Sequence, residues 1–335
     1  MRLGVDVYSI RSQEWDAFEY LDYCAEIGLD VVHFSDLAPF DSTEESYLKE
    51  VRARADELGL DIEAGMGSIC PTSASYHAQE GESVVDRVKE MLHVAKTLGS
   101  PVLRCLLGSN ADRHSETPLD THIASTIATC RAVRDLALDL EIKLAVENHA
   151  GDLQGWELRE LIEEAGPEYV GACIDTGNPI WVHEDPMVTL EHLAPYVLTS
   201  HIRDSIVWSH PKGAAFQWVA MGDGNVGIEA WTERYKALCP GIPFTLEIIT
   251  GRPPQVLNYM EEDYWEAYPD AKAAEFARFE RLVRQGKPFM GTMVMLGDEE
   301  DMPPEYEAAR AAQERYDLER SVAYCQEVLE VGERG

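Results

Sequence analysis

The chain has 335 residues, 61 of them acidic against 28 basic, giving a formal charge of −33. Phosphate contacts supply most of a protein's affinity for nucleic acids, so a chain this acidic is a poor reader of DNA or RNA. No window approaches the ~20 apolar residues of a membrane span, and the seven cysteines, odd in number and without a CxxC pair, read as reduced core thiols of a cytoplasmic protein.

In chain order, apolar β-rich runs fall at 3–8, 30–34, 61–66, 101–106, 142–147, 170–174, 196–201 and 243–248. The first carries Asp6 where a signal peptide needs an unbroken apolar run, so no leader is expected. All eight are continuous rather than alternating, as strands buried on both faces are. Between them lie helix-length stretches with apolar residues three and four apart, such as Trp15, Phe18, Leu21, Tyr23 and Ile27, then Val84, Val88, Met91, Val94 and Leu98. Ile27-Gly28, Leu58-Gly59 and Leu98-Gly99 are helix stops. Strand and helix alternating at this frequency predict repeated right-handed βα units. The economical solution is an α/β fold of the (β/α)₈ TIM-barrel type, which takes roughly 250 residues.

Residues 1–250 are therefore expected to form the barrel, and 251–335 a C-terminal helical extension packed on it as part of the same domain. Within the extension, 251–301 is rich in aromatic residues and Met, and 303–331 reads as a charged helix with an apolar stripe through Leu318, Val322, Cys325 and Leu329. The aromatic stretch is expected to cap the active-site rim, to dock a second subunit or to form an outer packing layer.

Four runs end in an ionisable residue: Glu147, Asp175, His201 and Glu247. They are far apart in sequence, and a parallel barrel gathers all its strand ends at one rim. Three carboxylates and one imidazole make a mostly hard donor set, suited to one divalent ion, Mn²⁺ or Mg²⁺, rather than to thiolate-held zinc. Such an ion leaves room for two neighbouring substrate oxygens, and chelation of a carbonyl with its adjacent hydroxyl favours an enediolate. His149, two residues past Glu147, is the leading candidate for the general base or acid. Arg104 would bind a carboxylate or oxyanion through its donor fork. Arg203 and Asn178 are candidates to contact sugar hydroxyls, and His33 and Tyr8 to wall the pocket. Trp208, Phe216 and Trp218 fall on a long loop after the seventh strand, a position often used for function, where Trp208 would stack on a sugar or an aromatic ring.

In that order, the segments ending in Glu147, Asp175, His201 and Glu247 resemble the metal-binding strand ends of the xylose isomerase-like TIM barrels, the sugar phosphate isomerase/epimerase superfamily. The opening residues 1–10, the Glu147-Asn-His149 triplet and the extended C-terminus are most similar to a branch acting on 3-oxo sugars. That branch holds the 3-oxo-isoapionate decarboxylases and the large subunits of C-glycoside deglycosidases. The resemblance implies a divalent-metal-dependent carbon–carbon lyase working through an enediolate, with Glu147 and Glu247 as ligands that also move protons. Its substrate would be a small oxo-sugar or oxo-glycoside, and a small partner subunit or a homo-oligomer is expected. A metal-dependent ketose epimerase or isomerase is the alternative, and a metal-stabilised scaffold subunit is the non-enzymatic one. A nuclease of the endonuclease IV group is disfavoured: its relatives carry additional histidines at earlier strand ends, where this chain has 64–67 (Ala-Gly-Met-Gly) and 104–107 (Arg-Cys-Leu-Leu).

Overall fold

The computed structural model describes residues 1–77, 81–295 and 303–332. In chain order the elements are β1 (Leu3–Asp6), α1 (Ala17–Glu26), β2 (Val31–Phe34), α2 (Glu45–Leu58), β3 (Asp61–Ser68), α3 (Val84–Leu98), β4 (Val102–Leu106), α4 (Asn110–Arg113), α5 (Leu119–Leu140), β5 (Lys143–Glu147), α6 (Gly155–Ala165), β6 (Val170–Asp175), α7 (Pro186–Leu193) and β7 (Val197–His201). There follow β8 (Asp204–His210), β9 (Gly213–Val219), α8 (Ile228–Leu238), β10 (Phe244–Leu246), β11 (Gln255–Leu257), α9 (Ala273–Gln285) and α10 (Pro304–Glu327).

Local chemistry sets the helix ends. Asp16 and Glu19 form a reciprocal capping box at the start of α1, with N–H donors at 2.9 and 3.0 Å. Gly59 and Gly99 close α2 and α3 in the left-handed conformation, at φ +72 and +76, where a side chain would be strained. The first strand stops at Asp6, short of the expected 3–8 run, because its carboxylate accepts the Tyr8 N–H at 2.9 Å and starts a 3-10 helix, Val7–Gln13.

Eight strands form one sheet in the order β10-β1-β2-β3-β4-β5-β6-β7, and every pairing in it is parallel. The sheet closes between β7 and β10: the Ile202 N–H donates to Thr245 O at 2.7 Å and the Glu247 N–H to Ile202 O at 2.9 Å. The result is a TIM barrel. Its strands are mostly buried, and the main core joins them to the apolar faces of α1 to α3, α5 to α8 and α10.

The segment after β7 departs from the expected loop. β8 and β9 are an antiparallel hairpin around a two-residue turn, with His210 opposite Gly213, and β11 adds a third strand to β9. Runs rich in β-branched and aromatic residues on both sides of Pro211-Lys212 supply the propensity. Gly213, at φ +139, lets β11 approach: a Cβ there would lie 2.5 Å from Leu257 O. Val207, Ala214 and Phe216 of the hairpin form a second core with Tyr259, Phe279, Leu282 and Val283 from the segments after β10. α10 packs elsewhere, against the Val7–Gln13 turn, where the Ser12 N–H and hydroxyl both donate to Glu314 at 2.9 Å. No helix among the described residues is long and apolar enough to cross a membrane, and all seven cysteines are buried and unpaired.

Candidate metal centre

The C-terminal ends of β5, β6, β7 and β10 converge on one point. Glu147, Asp175, His201 and Glu247 each offer a ligand atom, and these atoms all lie within 4.8 Å of one another. All four residues are at most 5% exposed. Their parallel register puts Glu147 beside Cys173 and Asp175 beside His201, so neighbouring strands deliver their ionisable residues at one level.

Carboxylates this close repel one another unless cations intervene, and two arginines do so. Arg104 Nε donates to Glu147 Oε2 at 2.5 Å, with Arg104 also ion-paired to that oxygen and donating to Met66 O at 3.2 Å. Arg203 pairs with both Asp175 and Glu247. Burial acts to raise the Glu147 carboxyl, but Arg104 and then His201 outweigh it and hold the group well below the usual carboxylate range. For Asp175 burial wins and the carboxyl is raised, although Arg203 and the Asn178 N–H oppose it. That N–H and the Gly177 N–H reach Asp175 Oδ1 at 2.7 and 2.6 Å. The Asn178 side chain donates to Glu147 Oε1 at 3.0 Å, so one loop residue braces two of the acids.

The donor set fits a divalent ion. His201 Nδ1 lies 3.2 Å from Glu147 Oε2 and 3.5 Å from Glu247 Oε2. Its Nε2 lies 3.3 Å from Asp6 Oδ2, yet neither ring nitrogen makes a hydrogen bond. Buried nitrogens rarely stay unsatisfied, and a cation among three carboxylates and an imidazole would satisfy Nδ1, the nitrogen that faces Glu147 and Glu247. Asp6, at the end of β1, then stands behind His201 as the carboxylate that orients the ring, an arrangement common around metal-bound imidazoles.

Above the cluster opens a cavity of about 350 Å³ whose lining includes Tyr8, Arg104, His149, Asn178, Arg203, Trp218, Glu247 and Arg252. His149 is carried there by a sharp turn, with Ala150 at φ +36 and Gly151 at φ +85. Its N–H donates to Asp152 Oδ1 at 2.9 Å. Its Nδ1 lies 2.6 Å from Gly108 O, which only accepts, so the proton sits on Nδ1 and Nε2 keeps its lone pair. Burial pushes the His149 pKa down to about 4, leaving the ring neutral at physiological pH.

Two candidates stand apart from this cavity. His33 is fully buried inside the barrel, its Nδ1 3.3 Å from Glu63 and its ring 4.6 Å from that of His201. Trp208 is half-buried and outside the lining; side chains alternate across a strand, and the pairing of Trp208 with Ala215 and of Trp218 with Ser205 puts the two indoles on opposite faces of the hairpin. Trp218 is the ring that reaches the cavity, its indole N–H donating to Gly177 O at 3.2 Å and the Arg203 guanidinium lying 4.4 Å from its centre. Asp6 and Arg252 were not singled out in the sequence. Asp6 shares the strand-end position of the four candidate ligands and could have been found by that signal; Arg252 follows the eighth strand by several residues and carried none.

A parallel eight-stranded barrel with an acid and histidine cluster at its C-terminal rim defines the class, that of TIM barrels with a candidate metal centre at the strand ends. The chain belongs to the xylose isomerase-like TIM barrel family, whose sequence pattern matches residues 21–275. It is 26% identical over 185 residues to the 3'-dehydrocarminate deglycosidase alpha subunit of a Microbacterium species, covering 52% of this chain and 49% of that one. It is 22% identical over 184 residues to the 3-oxo-isoapionate decarboxylase of Pectobacterium atrosepticum, covering 55% and 59%. The chain thus spans about half the length of these curated relatives. Among solved structures, D-psicose 3-epimerase from Clostridium cellulolyticum H10, crystallised with D-tagatose, superposes with a TM-score of 0.58 at 14% identity, covering 84% of this chain and 96% of that one. At that identity the likeness is one of fold.

Proposed function

We propose that the protein is a divalent-metal-dependent lyase acting on a 3-oxo sugar through an enediolate. The observation that carries this reading is the buried cluster of Glu147, Asp175, His201 and Glu247, with both His201 nitrogens unsatisfied, beneath a cavity sized for a small sugar. Weak similarity to a deglycosidase subunit and to an oxo-sugar-acid decarboxylase supports the lyase outcome.

A Mn²⁺ or Mg²⁺ ion held by the four residues would polarise the substrate carbonyl and stabilise negative charge developing on its oxygen. The protein's own groups supply the rest. The neutral His149 Nε2, open to the cavity, takes the proton from the carbon or hydroxyl beside the carbonyl, while the Gly108 carbonyl holds the ring in that tautomer. Asn178 and Arg104 fix the Glu147 carboxylate, and Arg203 braces Asp175 and Glu247. Trp218 closes one wall against water and gives the sugar an apolar face to lie on. Once the enediolate forms, a leaving group β to the carbonyl departs, or carbon dioxide has already left a β-keto acid to generate it.

Glu147 and Glu247 both reach into the cluster, and this favours a second reading: an epimerase or isomerase that reprotonates the same intermediate, as the names of structural neighbours suggest. The decisive experiment is product analysis by NMR with Mn²⁺-loaded protein and a panel of 3-oxo sugars, their C-glycosides, 3-oxo sugar acids and free ketohexoses. Release of an aglycone or carbon dioxide supports the lyase. Rearrangement with no fragment lost replaces it with the epimerase.

A further inference from the structure

Three arginines line the cavity, and two of them are neutralised. Arg104 pairs with Glu147, and Arg203 with Asp175 and Glu247. Arg252 pairs with no carboxylate among the described residues, and its Nε is buried without a hydrogen-bond partner. It is held in place from behind. The Gln217 side chain on β9 donates to Arg252 O at 2.8 Å, and Gly251, at φ +83, makes the turn that brings the residue back over the rim. The guanidinium lies 5.4 Å from the centre of the Trp218 ring, the same ring that Arg203 stacks on. Tyr8 lines the same cavity wall, near enough to favour the charge.

A guanidinium stays protonated in proteins, so this is a positive charge, partly out of water, at the cavity wall with no ion-pair partner among the described residues. Burial disfavours the charge, and the nearby Arg11 and Arg203 add to that. An unpaired charge in such a place is costly unless a ligand completes it. We propose that Arg252 binds a carboxylate carried by the substrate, so that the sugar accepted here is an oxo-sugar acid rather than a neutral ketose or a neutral glycoside. The donors fit that group. One planar guanidinium fork and the Tyr8 hydroxyl match a single planar monoanion, whereas a phosphate dianion with three terminal oxygens calls for more. Arg104, which the sequence offered for the same task, is already committed to Glu147. The inference rests on the oxo-sugar reading above and narrows its substrate class.

Binding of unreactive probes tests it. Mn²⁺-loaded protein is titrated by calorimetry with D-gluconate and D-ribonate and, separately, with the neutral D-glucitol and D-ribitol. The aldonates are expected to bind at least about tenfold more tightly than the alditols, since charge-assisted pairs are the strong ones. Arg252→Gln should bring the aldonates down to the alditol level without changing Mn²⁺ affinity, and Arg252→Lys should retain part of the preference. Absence of the preference in the wild-type protein, no measurable aldonate binding, or a preference that survives Arg252→Gln each overturns the proposal. Loss of the oxo-sugar reading would show separately, as a wild-type protein that transforms no oxo-sugar, acid or neutral, when loaded with metal.

Discussion

Glu184 lies on the segment that follows β6 and carries Asn178 over the rim, with its carboxyl buried against the start of α6. The Gly155 N–H reaches both its oxygens, at 3.0 and 3.2 Å, and the Thr189 hydroxyl donates at 2.5 Å. Burial nevertheless pushes its pKa from 4.5 up to about 7, the Thr189 and Gly155 donors opposing only in part. The folded protein therefore holds a proton that the unfolded chain gives up. The stability this contributes is complete below about pH 4.5 and is lost as pH rises through about 7. The gap is worth about 3 kcal/mol, at roughly 1.4 kcal/mol for each tenfold change in proton affinity. Glu184→Gln keeps one oxygen for Gly155 and Thr189 and has no charge to bury. Urea unfolding followed by circular dichroism should find the two proteins within about 1 kcal/mol of each other near pH 5 and the variant more stable by about 3 kcal/mol near pH 8.5. A difference that does not change with pH, or a variant weaker at the alkaline end, would refute the reasoning.

Glu147→Gln and Asp175→Asn should each lose Mn²⁺ affinity, measured by calorimetry, together with turnover; either variant keeping both would remove that residue from the centre. His149→Ala should keep Mn²⁺ affinity but lower kcat by about 10²–10⁴-fold, the usual worth of a general base, and an unchanged kcat would move the base to Glu147 or Glu247. Phe216→Ala should cost about 3–5 kcal/mol in urea unfolding, as emptying a buried aromatic site does, because the ring joins the hairpin to Tyr259 and Phe279. A loss below about 1 kcal/mol would mean that the hairpin core relaxes around the gap.

The barrel was legible because buried parallel strands write continuous apolar runs, and strands such as Val102–Leu106 and Val197–His201 fall inside the stretches marked out by composition. The candidate centre was legible for a related reason: Glu147, Asp175, His201 and Glu247 interrupt those runs at one end, and a barrel has one rim. What escaped was whatever depends on distant pairing. The β8–β9 hairpin shows no regular alternation, because all of β9 is buried, one face by the second core and the cavity and the other by the segment that holds Arg252 and Met293. Which indole faces the sugar follows from hairpin register, so Trp208 and Trp218 could not be told apart beforehand. Arg104 and Arg203 read in the sequence as candidates to bind substrate, and they become braces once the fold sets carboxylates beside them. The end of the 251–301 segment, residues 296–301, lies outside the described residues.

The most direct test of metal-dependent enediolate chemistry is solvent exchange. Protein stripped by chelation and protein reloaded with Mn²⁺ are incubated in D₂O with a 3-oxo sugar acid and its neutral counterpart and followed by NMR. Deuterium at the carbon beside the carbonyl, in substrate or product, is expected only with the reloaded protein and should vanish in Glu147→Gln. Equal incorporation by stripped protein, or loss of carbon dioxide with no deuterium taken up at the carbon that carried it, would contradict the mechanism.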